Sequence, residues 1–406
     1  MLTLLSLTHA SSEMYRTFVS TQSLVLRQVL QKEIPLDVQP EAEAVYISST
    51  SPQDLSRFFR FVGTDSAPLC FEQSAPPITV LTAMRLSLMH YYVTFFTRKF
   101  CTSILSQNPI SGLPDNNYCP PSENEIHRIQ RTFYRLELYC NMARREKGYD
   151  NEGREGTFPI GQLKQFLLAI PPWELEQLAC VRDYCYRKIA SPVNRVTLHD
   201  VMYGVDKVAV CWDRSYPNMK KLCILSSGLG WVHQLLTSKT YEESKELIDR
   251  STMYTFPFLH EQTIADPYTY DASLSIDDIY YETVIRYEDT FVKGWRENDK
   301  GPIAAWRWAA NSPYQQRQRQ PLLHFYTCAS DLRDWAYCIW DHSRLTAWNL
   351  FAKPWNGKRA RLREIRLHEV EVKSQESLTL SWARRESVFR RGGKHRLLKI
   401  VASILM

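Results

Sequence analysis

The acidic run Asp277-Asp278-Ile279-Tyr280-Tyr281-Glu282 is the sharpest cluster of chemistry-bearing residues in this chain. Carboxylates gathered on one helix can hold magnesium, and magnesium can hold a diphosphate. The same acids also suit a helix start, because Ser275 with Asp278 forms a cap and first-turn carboxylates complement the helix dipole. His199-Asp200 and Asp341-His342 put a base beside a carboxylate in sequence, but neighbours on a helix point to different faces, so neither pair makes a base and its orienter. They read as surface or cap residues. Gly228-Leu229-Gly230 lacks the third glycine and the preceding strand of a dinucleotide loop, and reads as a close helix contact or a break. Cys180 and Cys185 sit at separate angles around one helix with no histidine pair nearby, which favours a core role over zinc. No HExxH, GxSxG or P-loop pattern occurs. No catalytic, cofactor or metal residue is assigned on this reading, and the chain is expected to be non-enzymatic.

Charge narrows the partners. Residues 353–406 carry 14 Lys+Arg against 5 Asp+Glu, and the remainder 36 against 39, so a near-neutral body ends in a basic tail. Two runs in that tail, at 358–363 and 390–396, could meet phosphate, but base-stacking aromatics are sparse there. Nucleic acid is therefore not the expected partner. The most apolar stretch, 78–96, contains Arg85, His90 and several Ser and Thr, and reads as a core helix instead of a membrane span. Ten dispersed cysteines without a CxxC pair suggest reduced thiols, and with no Asn-x-Ser/Thr acceptor a cytoplasmic or nuclear chain is expected.

These residues must be positioned by helices. The pattern predicts a mainly α, irregular multi-helical fold with at most a short C-terminal β-hairpin, from 364–372 and 378–382. Two short helices are expected at 2–18 and 23–34, and a third at 40–47. A long helix after Pro76-Pro77 has Leu81, Met84, Leu88, Tyr91 or Tyr92, and Phe95 as its apolar face. Ser122-Glu123-Asn124-Glu125 is a capping box opening a central helix that buries Ile126, Ile129, Phe133, Leu136 and Cys140. Pro171 stops a helix at 161–169, and Pro172 opens one to 189 lined by Leu175, Leu178, Val181, Cys185 and Ile189. Further helices are expected at 197–210, 216–237, 241–248, 275–287, 302–311 and 330–351. The 122–145, 172–189 and 330–351 helices are expected to share a core. Three regions follow: a small helical region at 1–50, a helical body at 51–352 and a basic segment at 353–406.

Five stretches in order, 2–18 (LTLLSLTHASSEMYRTF), 123–142 (ENEIHRIQRTFYRLELYCNM), 171–189 (PPWELEQLACVRDYCYRKI), 333–345 (RDWAYCIWDHSRL) and 381–393 (SWARRESVFRRGG), together resemble a family of fungal F-box proteins. The resemblance implies an N-terminal F-box remnant that grips the Skp adaptor of a cullin ubiquitin ligase, with Leu2, Leu4, Leu5, Leu7 and Tyr15 as the partner-binding residues. The helical remainder would present an unknown target protein, and no cofactor is implied. A second reading is a family member without adaptor binding, since no Leu-Pro-x-Glu opening helix occurs. A third class is suggested by the 277–282 acids, which loosely resemble the Asp-rich magnesium motif of terpene cyclases, although no second Asn/Ser/Glu metal motif follows at the required spacing.

Overall fold

The computed structural model describes residues 11–50, 77–106, 108–109, 119–143, 166, 170–199, 219–251, 299–313 and 330–355. These residues are mainly helical, with no strand among them. The expected hairpin, the helices at 161–169 and 275–287 apart from Phe166, residues 2–10 of the first expected helix and residues 200–210 of the one expected at 197–210 lie outside this set.

Ser11 opens α1 (Ser12–Glu33) by accepting the Met14 amide at 3.1 Å. The two helices expected here are limbs of one, bent at Thr21 where φ −121° and ψ 16° leave the helical region. The Ser20 and Thr21 hydroxyls both donate back to the Thr17 carbonyl, at 2.9 and 2.8 Å, a side-chain competition that bends helices. A 3-10 turn at Leu36–Val38 leads into α2 (Gln39–Thr50). Thr79 caps α3 (Val80–Ile104) by accepting the Thr82 amide at 3.1 Å. The capping box of α4 (Glu123–Ala143) forms as expected: Ser122 Oγ accepts the Glu125 amide at 3.1 Å, and Glu125 Oε2 accepts the Ser122 amide at 2.9 Å.

Three expected boundaries are corrected. Helix α5 (Pro172–His199) continues through Pro192 past the expected stop at 189. The helix expected at 216–237 is two, α6 (Met219–Ser226) and α7 (Leu229–Thr237), parted at Gly228 with φ +92°. After α8 (Tyr241–Arg250) and α9 (Gly301–Ala310), the helix expected at 330–351 breaks into α10 (Ser330–Asp334), α11 (His342–Ala347) and a 3-10 turn at Leu350–Ala352. Ala336 and Asn349 take left-handed φ values of 57° and 59° in the turns between. Leaving the helix places Tyr337, Cys338, Ile339 and Trp340 in succession inside the core. It also frees the carbonyl of Cys338 for the Gln177 amide, at 2.8 Å, and that of Ile339 for the Arg128 guanidinium.

Helix α4 is central: α2, α3, α5 and α6 pack on it, while α6 to α10 pack on α5. Phe133 on α4 meets Phe96 and Phe100 of α3, with ring centres 5.7 and 5.9 Å apart, and Phe100 meets Tyr184 of α5 at 5.0 Å. The apolar line expected on α5 is buried throughout, as are Cys180 and Cys185, which are free thiols. On α3 the expected face is reversed at its first positions, while its last members, Tyr92 and Phe95, pack against the core. Leu81, Met84, Leu88 and Tyr91 are exposed, and the helix turns Ala83, Leu86, His90, Val93, Phe96, Phe100 and Ile104 inward.

Candidate partner-binding surface

The charges one would look to for chemistry are mostly consumed by the interior. Arg333 lies fully buried and donates from Nε and Nη2 to Glu176 on α5, at 3.2 and 3.0 Å. Burial alone would pull the Arg333 pKa down, but Glu176 and Asp183 together push it above the ordinary range. Arg135 on α4 bridges Glu174 at 2.6 Å and Glu41 at 2.9 Å, and those two carboxylates outweigh the same burial effect. Arg128 pairs with Asp341 at 3.1 Å. Glu125 receives the Arg344 guanidinium, at 2.8 Å from both Nε and Nη2, and the Asp341 amide at 2.9 Å. A buried ion has to be paired in this way, because an isolated one loses several kcal/mol of hydration, order of magnitude.

One carboxylate acts on a neighbouring helix end. Glu137 of α4 accepts the Leu229 amide at 2.6 Å and so caps α7 from across the core. A Cβ at Gly228 would sit 2.6 Å from Glu137 Oε1, so the glycine supplies both the positive φ and the room for the carboxylate. The glycine pair is thus a break and a close contact, as its sequence suggested.

The remaining sequence candidates separate in the same way. Asp341 precedes α11 in extended conformation and accepts the Ser122 hydroxyl at 2.5 Å, while the amide of exposed His342 donates to Asp299 at 3.0 Å. His199 ends α5, and Asp200, the 277–282 acids and the basic tail beyond Trp355 lie outside the described residues. Among the described residues no group of three His, Cys, Asp or Glu could hold a metal, and no helix is long and apolar enough to cross a membrane. Four buried thiols are held protonated: burial pushes Cys101 up to about 12 and raises Cys180, Cys185 and Cys338 well above the ordinary thiol range.

A polar cluster that sequence reading missed joins α1, α3 and α4. His90 Nδ1 lies 3.0 Å from the Tyr134 hydroxyl, and Ser87 donates to Glu33 at 2.6 Å. Burial lowers the His90 pKa against an upward pull from Glu33, leaving the ring neutral at neutral pH. Only His90 itself gave a signal, as a polar residue inside an apolar stretch.

The surface, in contrast, carries apolar residues. Along the outer limb of α1, from Ser12 to Thr21, only Phe18 is buried, while Met14, Tyr15 and Val19 are about half exposed. Leu24, just past the bend, is as exposed as they are. Of the partner residues expected from the family resemblance, Tyr15 is on this limb, and Leu2, Leu4, Leu5 and Leu7 lie outside the described residues. On α3, Leu81, Met84, Leu88 and Tyr91 form a stripe with 44 to 60% of each side chain open to solvent. The inner limb of α1 runs beside the start of α3 in the same direction, tied by the Ile78 amide to Ser23 Oγ at 3.0 Å and by the Ser87–Glu33 bond. Single exposed apolar residues are ordinary, whereas contiguous ones mark interaction sites. No protein family, curated protein or solved structure matches the chain.

Proposed function

We propose that the chain is a non-enzymatic protein-interaction protein, of the kind implied by its resemblance to F-box substrate receptors, and that its N-terminal helix docks a Skp-type adaptor. The observation that carries this reading is the outer limb of α1, which buries one apolar side chain and leaves Met14, Tyr15 and Val19 open. Such a limb gains little from folding against its own body, and large amphipathic side chains like Tyr15 favour interfaces. Leu2, Leu4, Leu5 and Leu7 extend the apolar character of the limb in sequence.

Affinity purification of the full chain followed by mass spectrometry tests the reading. A Skp adaptor is expected to co-purify, and Tyr15→Ser with Val19→Ser, or Leu4→Ser with Leu5→Ser, is expected to release it at unchanged melting temperature. A wild-type sample without Skp would leave an adaptor-free member of the same family as the better reading. Nucleic acid recovered only at low salt, and lost on deleting 353–406, would replace the protein partner altogether, because phosphate contacts weaken steeply with salt.

A further inference from the structure

We propose that the α3 face formed by Leu81, Met84, Leu88 and Tyr91, with Arg85 beside it and Arg98 and Lys99 beyond its far end, docks an acidic amphipathic helix of a partner protein. The four apolar residues recur at steps of three and four, so they lie in one line along the helix. From Leu81 to Tyr91 that line is about 15 Å long, or about three helical turns, the length over which a partner helix presents anchors at i, i+3 or i+4, and i+7. At its far end the line meets α7, where His233 touches Tyr91, Tyr92 and Phe95 with ring centres 5.6, 5.0 and 4.6 Å apart.

Charge chooses the occupant. Helix α3 contains no Asp or Glu, and α7 contains none either. The acids of α2 that could offset them, Glu41 and Glu43, are buried, and Glu33 at the α1 edge is engaged by Ser87. Arg85 and Arg98 are exposed and have no ion-pair partner among the described residues; Lys99 is exposed beside the Phe95 ring, 6.0 Å from its centre. Arg85 lies beside the apolar line, and Arg98 and Lys99 follow Tyr91 by seven and eight residues, about 10–12 Å further along the axis, so a helix lying along the line meets a cation at its side and two more past its end. A partner with apolar anchors and with carboxylates beside them and at one end matches this pattern, while a basic helix would meet like charge.

The inference rests on the reading of the chain as a partner-binding protein but uses a different face from the Skp site. The test contains no adaptor, so the two can fail separately. The full chain is used to select from a displayed library of amphipathic helices about 15 residues long, with apolar positions every three or four residues and either Glu/Asp or Lys/Arg at the flanks. Acidic members should be enriched. Met84→Glu with Leu88→Glu should weaken the selected peptide at least about tenfold by fluorescence anisotropy, with melting temperature unchanged. Arg85→Glu, Arg98→Glu and Lys99→Glu together should turn the selection toward Lys/Arg. No enrichment, enrichment blind to charge, or binding unaffected by the α3 substitutions would overturn the proposal. So would sedimentation showing a dimer that Met84→Glu with Leu88→Glu dissolves, which would assign the face to a second copy of the chain.

Discussion

Helices α3 and α4 lie against each other and reverse the usual placing of polar and apolar residues. Helix α4 buries Glu125, Arg128, Arg135 and Glu137, whereas α3 shows Leu81, Met84, Leu88 and Tyr91 to solvent. Every one of those α4 charges has a partner on another element, from Asp341 and Arg344 to Glu41, Glu174 and the α7 amide. Residue type sets only a default. A charge goes inside when its neighbours replace the water it loses, and an apolar side chain stays outside when the opposite face of its helix already fills the core.

The largest expected effect lies in the charged interior. Glu176→Ala should lower stability by about 3–5 kcal/mol, because it strands Arg333 as a buried ion without its bidentate partner. Urea unfolding measures this, and Glu176→Leu with Arg333→Met should recover most of the loss by removing both charges. A single variant as stable as wild type would show that Arg333 can reach water and that the interior is less closed than its pairing suggests.

Next is the junction where α4 caps α7. Gly228→Ala should cost about 1–3 kcal/mol, from the left-handed φ together with the carboxylate it would crowd. Glu137→Gln with Gly228→Ala should cost less than the two single losses combined, since both act on one contact. Strictly additive losses would mean that the glycine serves only its backbone angle.

Periodicity and cap chemistry made much of this architecture legible from sequence. The Ser122–Glu125 box and the Leu175-to-Ile189 line each follow from a local rule that the packed structure also obeys, while Gly228 marks a contact or a break inside a pattern that otherwise runs on as one helix. The face of α3 was not legible, because the helix carries two apolar lines of the same period and the rule cannot choose between them. The outward line is Leu81, Met84, Leu88 and Tyr91, while the inward one includes a histidine and a small alanine. The break inside 330–351 was hidden for another reason: no glycine or proline marks it, and the groups that use the freed carbonyls beyond left-handed Ala336, Gln177 and Arg128, are distant in sequence. The ion pairs of α4 were equally invisible, since their partners lie far away in sequence and a charged residue alone reads as a solvated one. Of the proposed partner surface, Tyr15 is a residue that the family resemblance implies, whereas periodicity alone places the α3 stripe in the core.

A smaller effect separates the two regions by pH. His90 is buried and neutral in the folded chain, with its pKa below the ordinary 6.5, and it faces Tyr134 on α4 and Glu33 on α1. The unfolded chain therefore takes up a proton first as pH falls, so stability is fully present above pH 6.5 and declines below it until the folded pKa is passed. One proton limits the slope to about 1.4 kcal/mol per pH unit. Burial lowers His233 too, and it adds in the same direction. Unfolding between pH 7.5 and 5 should show a shallower decline in His90→Gln than in wild type, with His233→Gln measuring the other share. A stability that rises on acidification would mean that Glu33 holds the His90 proton more firmly than burial expels it.

The smallest expected effect is the most direct check on the apolar surface. Met84→Ser with Leu88→Ser removes two large apolar side chains from one helix, and in a core such a change would cost several kcal/mol, about 2–5 for each truncation. On α3 these side chains are about half open to water and their inward neighbours Leu86 and Val93 are untouched, so the double variant should stay within about 0.5 kcal/mol of wild type. Serine has a weaker helix propensity than leucine or methionine, which works against the variant, whereas less apolar surface facing water in the folded state works for it. Thermal and urea unfolding of the full chain decide the matter together. A loss of more than about 2 kcal/mol, beyond what helix propensity alone can explain, would mean that something covers the stripe in solution. If that loss also fell with dilution, the cover would be a second molecule, because only an associated state ties stability to concentration. A near-neutral result at every concentration leaves the stripe open, in the condition a docking helix needs.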